Sequence, residues 1–276
     1  MLLSLKHVFC ISLFMLASCT HKNHVQTEEE KLHETALKNK IKSITEYRME
    51  THLGINQKEF PSDVQLFNED GFKTKEIIYK TDGSIDFTIM HEYDKAGNLI
   101  ISKAVNTDSS LLFRQVRSYD SHNNRKELYF YLPDGSYKYR NIASYDREGK
   151  IKELAWYWPE GFKSKNIYAY DGRKKTGDTE YGPHGELRYR WVFQYDENGN
   201  LTEAIQYSPG NETNTKVTYE YDSHNRITKK TNYIGVSIQS IIKYEYGKND
   251  LPAARTESNS NGMTSVQFTL KYEFYN

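Results

Sequence analysis

The sequence predicts an all-β protein: a repetitive antiparallel hairpin meander of about 17 strands, curled into a shell or barrel-like sheet behind one short N-terminal helix. Three observations predict it. An aromatic residue, usually followed by Asp, recurs every 25–26 residues. A second, glycine-bearing turn recurs half a period away. Between the turns, residues alternate between two faces with period two, the signature of a half-buried strand.

Composition agrees with this class. Lys plus Arg and Asp plus Glu stand at 37 each in 276 residues. That balance offers no charge for nucleic acid or an acidic membrane surface. The 23 Tyr, 12 Phe and 3 Trp outweigh 6 Pro, and aromatic side chains favour pleated, half-buried surfaces.

Residues 1–18 read as a leader. Lys6 and His7 precede nine apolar residues, Val8 to Leu16, too few for a bilayer span of about 20. The run ends in Leu16-Ala17-Ser18-Cys19, which resembles the lipobox of bacterial lipoproteins. The resemblance implies cleavage before Cys19, acylation of Cys19, and a membrane as partner through that lipid anchor. Cys10 is lost with the leader, so the mature chain keeps one cysteine and no intramolecular disulfide. Thr20 follows Cys19 and no acidic residue lies in 20–24. The periplasmic face of an outer membrane is therefore expected, with surface display as the alternative.

Residues 19–40 read as a lipidated tether with a short helix. Thr27 and Glu30 have capping-box spacing, and acidic residues lead while basic ones trail. Leu32, Ala36 and Leu37 form a thin apolar stripe.

Residues 41–276 form the repeat domain. Phe67, Tyr93, Tyr119, Tyr145, Tyr170, Tyr195, Tyr221, Tyr246 and Phe274 line up as the aromatic before each turn. Asp94, Asp120, Asp146, Asp171, Asp196 and Asp222 follow six of them. Three residues later come Gly97, Asn123, Gly149, Lys174, Gly199, Asn225 and Asp250. Apart from Lys174, these residue types tolerate positive φ. The pattern predicts a type I turn closed by a left-handed residue, with Asp accepting backbone N–H groups. At Lys174 the turn must shift or lengthen, using Gly172 or Gly177. The second turn places Gly at 83, 135, 161, 185, 210, 235 and 262, with Ser109 in the vacant slot.

One face of a strand carries Leu187, Tyr189, Trp191, Phe193 and Tyr195, and the other Arg188, Arg190, Val192 and Gln194. One aromatic, buried face and one wet face are expected. So many strands rarely stay flat and open, and one short helix cannot cover them. A tube filled by Tyr, Trp and Leu side chains is the favoured solution, with a sandwich or a dimerised sheet as alternatives.

Tyr93-Asp94-Lys95-Ala96-Gly97-Asn98-Leu99 and Tyr195-Asp196-Glu197-Asn198-Gly199-Asn200-Leu201 are similar to the YD repeats of Rhs-type proteins, over about residues 41–276. That family implies a curled β shell. Its members enclose a toxic C-terminal domain. No such cargo is expected here, since the last repeat strand runs to Asn276. The resemblance also motivates an immunity or toxin-neutralising lipoprotein as a rival function.

No catalytic, cofactor or metal site is expected. The nine histidines form neither H-x-H nor H-E-x-x-H. His122 and His224, in matching Ser-His-Asn turns, read as solvated turn residues. The aspartates recur in one environment, whereas catalytic carboxylates need two unlike ones. Trp156, Tyr157 and Trp158 break the alternation and suggest a patch for a protein or glycan partner, rimmed by Arg188 and Arg190. A carbohydrate-binding envelope protein is the second rival. Lys103, Glu153, Glu203 and Lys229 would face lipid in a membrane channel and argue against one. The expected function is a non-enzymatic envelope lipoprotein presenting a rigid β-repeat surface, its oligomeric state open.

Overall fold

The computed structural model describes residues 28–52 and 55–276. Cys19, the leader and the proposed N-cap Thr27 lie outside the described residues. Helix α1 (Glu28–Asn39) opens with Glu28, Glu29 and Glu30 and carries Lys38 in its last turn, the charge order its dipole favours. Lys40, at φ 54°, ends it.

Strand β1 (Ile41–His52) follows directly, and the two-residue β2 (Ile55–Asn56) folds back on its end. A meander of hairpins comes next: β3 (Phe60–Phe67), β4 (Lys73–Tyr79), β5 (Ile85–Tyr93), β6 (Leu99–Asn106), β7 (Leu111–Tyr119), β8 (Arg125–Tyr131), β9 (Tyr137–Tyr145) and β10 (Ile151–Trp158). It continues through β11 (Gly161–Asp171), β12 (Lys174–Tyr181), β13 (Leu187–Tyr195), β14 (Leu201–Tyr207), β15 (Thr213–Tyr221), β16 (Ile227–Ile234), β17 (Ser237–Tyr246), β18 (Pro252–Asn259) and β19 (Thr264–Phe274). Strand β1 pairs antiparallel with both β3 and β19. The 19 strands thus close into a barrel of 18, with β2 as an appendage.

The closure has a local cause. Each Tyr-Asp hairpin shifts register by one residue just before its tyrosine, as at Glu92/Tyr93, Gln194/Tyr195 and Glu220/Tyr221. The second turns do the same, as at Ile78/Tyr79 and Gln206/Tyr207. A bulge at every hairpin raises the right-handed twist, so the meander coils instead of spreading.

Register separates the two walls. Partners such as Glu46↔Asp63, His91↔Ser102, Asn141↔Trp156, Phe193↔Ala204 and Arg255↔Phe268 share one face. That face holds nearly all the buried strand residues, among them Asp63, Gln65, Glu76, Ile89, Ser102, Leu128, Phe130 and Asn141. It is the concave wall.

The lumen is not filled as expected. Tyr139, Trp156, Tyr189, Trp191, Phe193 and Tyr219 on the inner wall keep intermediate exposure, and among the described residues Ile41 alone combines large size with complete burial. An 18-stranded circumference is too wide for side chains to meet across it. The compact apolar cluster sits at one mouth instead. There Ala36 and Leu32 of α1 pack on Ile41, Ile44, Phe67, Leu251, Leu270 and Tyr272. Leu37, the third residue of the expected stripe, is 49% exposed. The helix passes so closely over the first turn that a Cβ on Gly71 would lie 2.8 Å from Leu37 Cβ.

Candidate functional site

The Tyr-Asp turns form as the sequence predicts. Asp94 N–H donates to Asn98 O and Gly97 N–H to Asp94 O, at 2.9 and 3.1 Å. Asp94 Oδ1 accepts from the N–H groups of Ala96 and Asn98. Gly97, Asn123, Gly149, Gly199, Asn225 and Asp250 all take positive φ. The Asn98 and Asn200 side-chain amides, with backbone N–H groups, hold the Asp94 and Asp196 carboxyls below their ordinary range. Asp120 and Asp222 are likewise lowered by bonds from Asn124 and Arg226, which outweigh their desolvation. Asp146 makes the same backbone contacts with Glu148 and Lys150. Each carboxylate is thus engaged in its own turn.

Not every turn keeps to the expected slots. At Asp171 the loop shortens to Gly172-Arg173, with Gly172 at φ 55°, while the bulge keeps its place just before the tyrosine, between Ala169 and Tyr170. In the turn after β14, Asn211 rather than Gly210 takes the left-handed φ of 60°. Ser109 does adopt the glycine-type conformation, φ 67°, with the Asp108 carboxylate accepting from the Ser110 N–H and hydroxyl.

Sequence spacing did not reveal what the tyrosines bond. Each hydroxyl donates to a backbone carbonyl at the start of the preceding return strand: Tyr93 to Lys73, Tyr119 to Leu99, Tyr145 to Arg125, Tyr170 to Ile151. The ladder continues with Tyr195 to Lys175, Tyr221 to Leu201, Tyr246 to Ile227 and Tyr272 to Pro252. Tyr272 therefore fills the last repeat slot, in place of Phe274. Tyr275 donates to Phe67 O across the closing seam. Burial pushes the phenols of the ladder from Tyr93 to Tyr272 up, to about 12 for Tyr119, Tyr170 and Tyr246.

The inner wall is mixed rather than uniformly aromatic, a correction to the two-face expectation. Across β3 to β7 runs a polar chain. Gln65 donates to Asp63 Oδ1 at 2.9 Å. Glu76 pairs with Lys73 and lies 3.8 Å from His91 Nε2. His91 Nδ1 is 3.0 Å from Ser102 Oγ, which accepts from Arg117. Burial, then the nearby Glu76 carboxylate, pushes Asp63 up to about 7. The neighbouring His91 and Lys73 outweigh burial at Glu76 and hold it at about 2. The sequence signal was available: polar residues hold the inward positions Asp63, Gln65, Glu76, His91 and Ser102. The aromatic face of Leu187 to Tyr195 in β13 is not repeated in β3 to β6.

The Trp-Tyr-Trp patch is divided by the barrel wall. Trp156 faces the lumen, its ring 5.6 Å from Tyr139. Tyr157 lies outside, under the Arg140 guanidinium at 4.9 Å. Trp158 stands at the rim, 44% exposed, with Lys163 over its ring. Arg188 and Arg190 sit on β13, three strands along the sheet from β10, and bond elsewhere: Arg188 to Glu180 at 3.0 Å, Arg190 over Tyr207. The five residues do not form one surface. His122 and His224 are exposed, in turns of β7–β8 and β15–β16. His122 borders an open concavity of about 940 Å³ between successive turns, also lined by Asp146 and Arg173.

The outer wall is charged at mid-strand. Lys103, Glu153, Glu203 and Lys229 all lie on it, and Lys165, Lys216 and Glu220 pair with the last three at 3.1, 3.8 and 2.8 Å.

Comparison with curated proteins by sequence finds no match. Among solved structures, a porin-like protein from Bacteroides uniformis is similar with a TM-score of 0.49 and 11% identity, over 85% of this chain and 98% of that one. The TcdB2-TccC3-Cdc42 structure is similar with a TM-score of 0.40 and 13% identity, over 83% of this chain but 16% of that one. The Tc holotoxin pore of Photorhabdus luminescens gives 0.36 and 10%, over 81% and 14%. The chain thus spans less than a fifth of the length of these toxin chains. The family model described as the teneurin YD-shell matches residues 82–234, more than half of the sequence. With its recurring Tyr-Asp turns and closed β meander, the chain belongs to the teneurin YD-shell family.

Proposed function

We propose that this protein is a non-enzymatic lipoprotein of the cell envelope. Its shell stands in water beside an outer membrane, held by acyl chains on Cys19, and serves as a rigid surface for a partner. The charged outer wall carries the reading. A barrel spanning a bilayer presents an apolar band, and a Lys or Arg at the midplane costs about 2–4 kcal/mol, an acidic residue less. Here Lys103, Glu153, Glu203 and Lys229 occupy that band. The membrane link therefore falls to the Leu-Ala-Ser-Cys motif, and multiple acyl chains make such an anchor stable. The non-enzymatic part is supported by the turn aspartates, each bonded within its own hairpin.

Labelling with radioactive palmitate and membrane fractionation test it. The intact chain should incorporate label and sediment with outer membranes, and Cys19→Ser should do neither. Membrane retention of the unlabelled variant would overturn the anchoring.

A further inference from the structure

Phe113, Phe130, Tyr139 and Trp156 stand on successive strands β7 to β10 of the concave wall, with neighbouring ring centroids 5.0, 5.1 and 5.6 Å apart. The last two rings keep intermediate exposure to the lumen. Around Trp156 the wall turns polar without turning charged. Asn141 is its register partner on β9 and Ser164 its partner on β11. Asn166 follows on β11 and donates to Asp178 at 2.8 Å, while Lys175 lies 3.7 Å from the same carboxylate. Asp178 and Lys175 thereby balance each other. Asn141 is 3% exposed, and its Oδ1 has no hydrogen-bond donor among the described residues.

We propose that the lumen binds an uncharged oligosaccharide, with Trp156 and Tyr139 as stacking platform and Asn141, Ser164 and Asn166 as partners for its hydroxyls. A pyranose ring has an apolar C–H face and a rim of hydroxyls. Aromatic faces bury the first. Side-chain amides, which both donate and accept, meet the second. A hydroxyl inserted beside Trp156 supplies the donor that Asn141 Oδ1 lacks, and an unmet buried acceptor is costly. An aliphatic chain fits worse, because amide and hydroxyl groups flank the terminal ring on both sides. The register partners of Trp156, Asn141 and Ser164, carry no charge to pair with an acidic glycan. Access is through the second-turn mouth, since α1 packs at the other. The inference needs the closed barrel and not the lipid anchor, so it stands or falls apart from the anchoring.

The full-length protein, purified in mild detergent, should be titrated with cellohexaose, maltohexaose and chitohexaose by calorimetry and tryptophan fluorescence. At least one should bind. Trp156→Ala should weaken binding tenfold or more and Trp156→Phe less, with Asn141→Leu also weakened and Trp158→Ala unchanged. Thermal unfolding identifies variants that fold, and Trp156→Phe and Asn141→Leu carry the test if Trp156→Ala does not. The proposal is overturned if none of the three sugars binds, if binding survives loss of the Trp156 indole, or if the lumen takes up an unfolded peptide in their place.

Discussion

The Tyr195 hydroxyl donates to the backbone carbonyl of Lys175, 2.8 Å away and 20 residues earlier. The same bond recurs at every tyrosine slot from Tyr93 to Tyr272, over intervals of 19 or 20 residues. Each hairpin is thereby tied to the one before it. Neighbouring turns are also linked directly, as by Asn98 to Asn123 and Asn200 to Asn225.

Tyr195→Phe removes one rung and keeps the ring. A neutral hydrogen bond contributes about 0.5–1.5 kcal/mol, and the loss should appear as a lower urea midpoint with unchanged slope. A variant carrying Phe at Tyr119, Tyr195 and Tyr246 should lose close to the sum, because these rungs share no partner. No change in midpoint would show that the hydroxyls are better satisfied by water.

Gly199 sits at φ 86°, with only the Lys174 side chain near its absent Cβ. Gly199→Val should therefore cost about 1–3 kcal/mol through backbone strain alone. Gly71→Ala combines φ 80° with a 2.8 Å approach to Leu37. It should displace α1 as well, so limited proteolysis should cut near residue 40 faster in that variant and not in Gly199→Val.

Stability should fall as pH rises from about 4 to 7. Asp63 has a folded pKa of about 7 against an ordinary 3.8. In that window the folded state holds a proton the unfolded state has released, so raising pH favours unfolding. Glu76 acts oppositely: with its pKa lowered to about 2 from 4.5, its contribution is present above 4.5 and lost on acidification. A melting-temperature maximum is expected where these windows meet, at about pH 4. Asp63→Asn should flatten the decline toward neutrality; an unchanged profile would show that Asp63 ionises normally.

Glu153→Leu should leave stability within about 0.5 kcal/mol of the parent, since its pairing with Lys165 is solvent-exposed. It should not draw the Cys19→Ser protein into membranes. Spontaneous insertion of that double variant would show that the wall is lipid-compatible.

The period, the turn type and the β class were legible in the sequence because they are local. Asp94 to Gly97 bonds within itself, and alternation follows from the pleat. Even the anomalies at Lys174 and Ser109 showed where a left-handed residue was needed. What only the tertiary structure decided depends on contacts far apart in the chain. Strand β1 is held between β3 and β19, pairing Glu46 with both Asp63 and Leu270, and no repeat unit encodes that seam. Closure over 18 strands sets a lumen wider than two side chains, which is why the aromatic face lines a wall instead of filling a core. It also sends Trp156 inward and Tyr157 outward, dividing a patch that is continuous in sequence. Tyr272, not Phe274, completes the ladder because only a hydroxyl can reach Pro252 O.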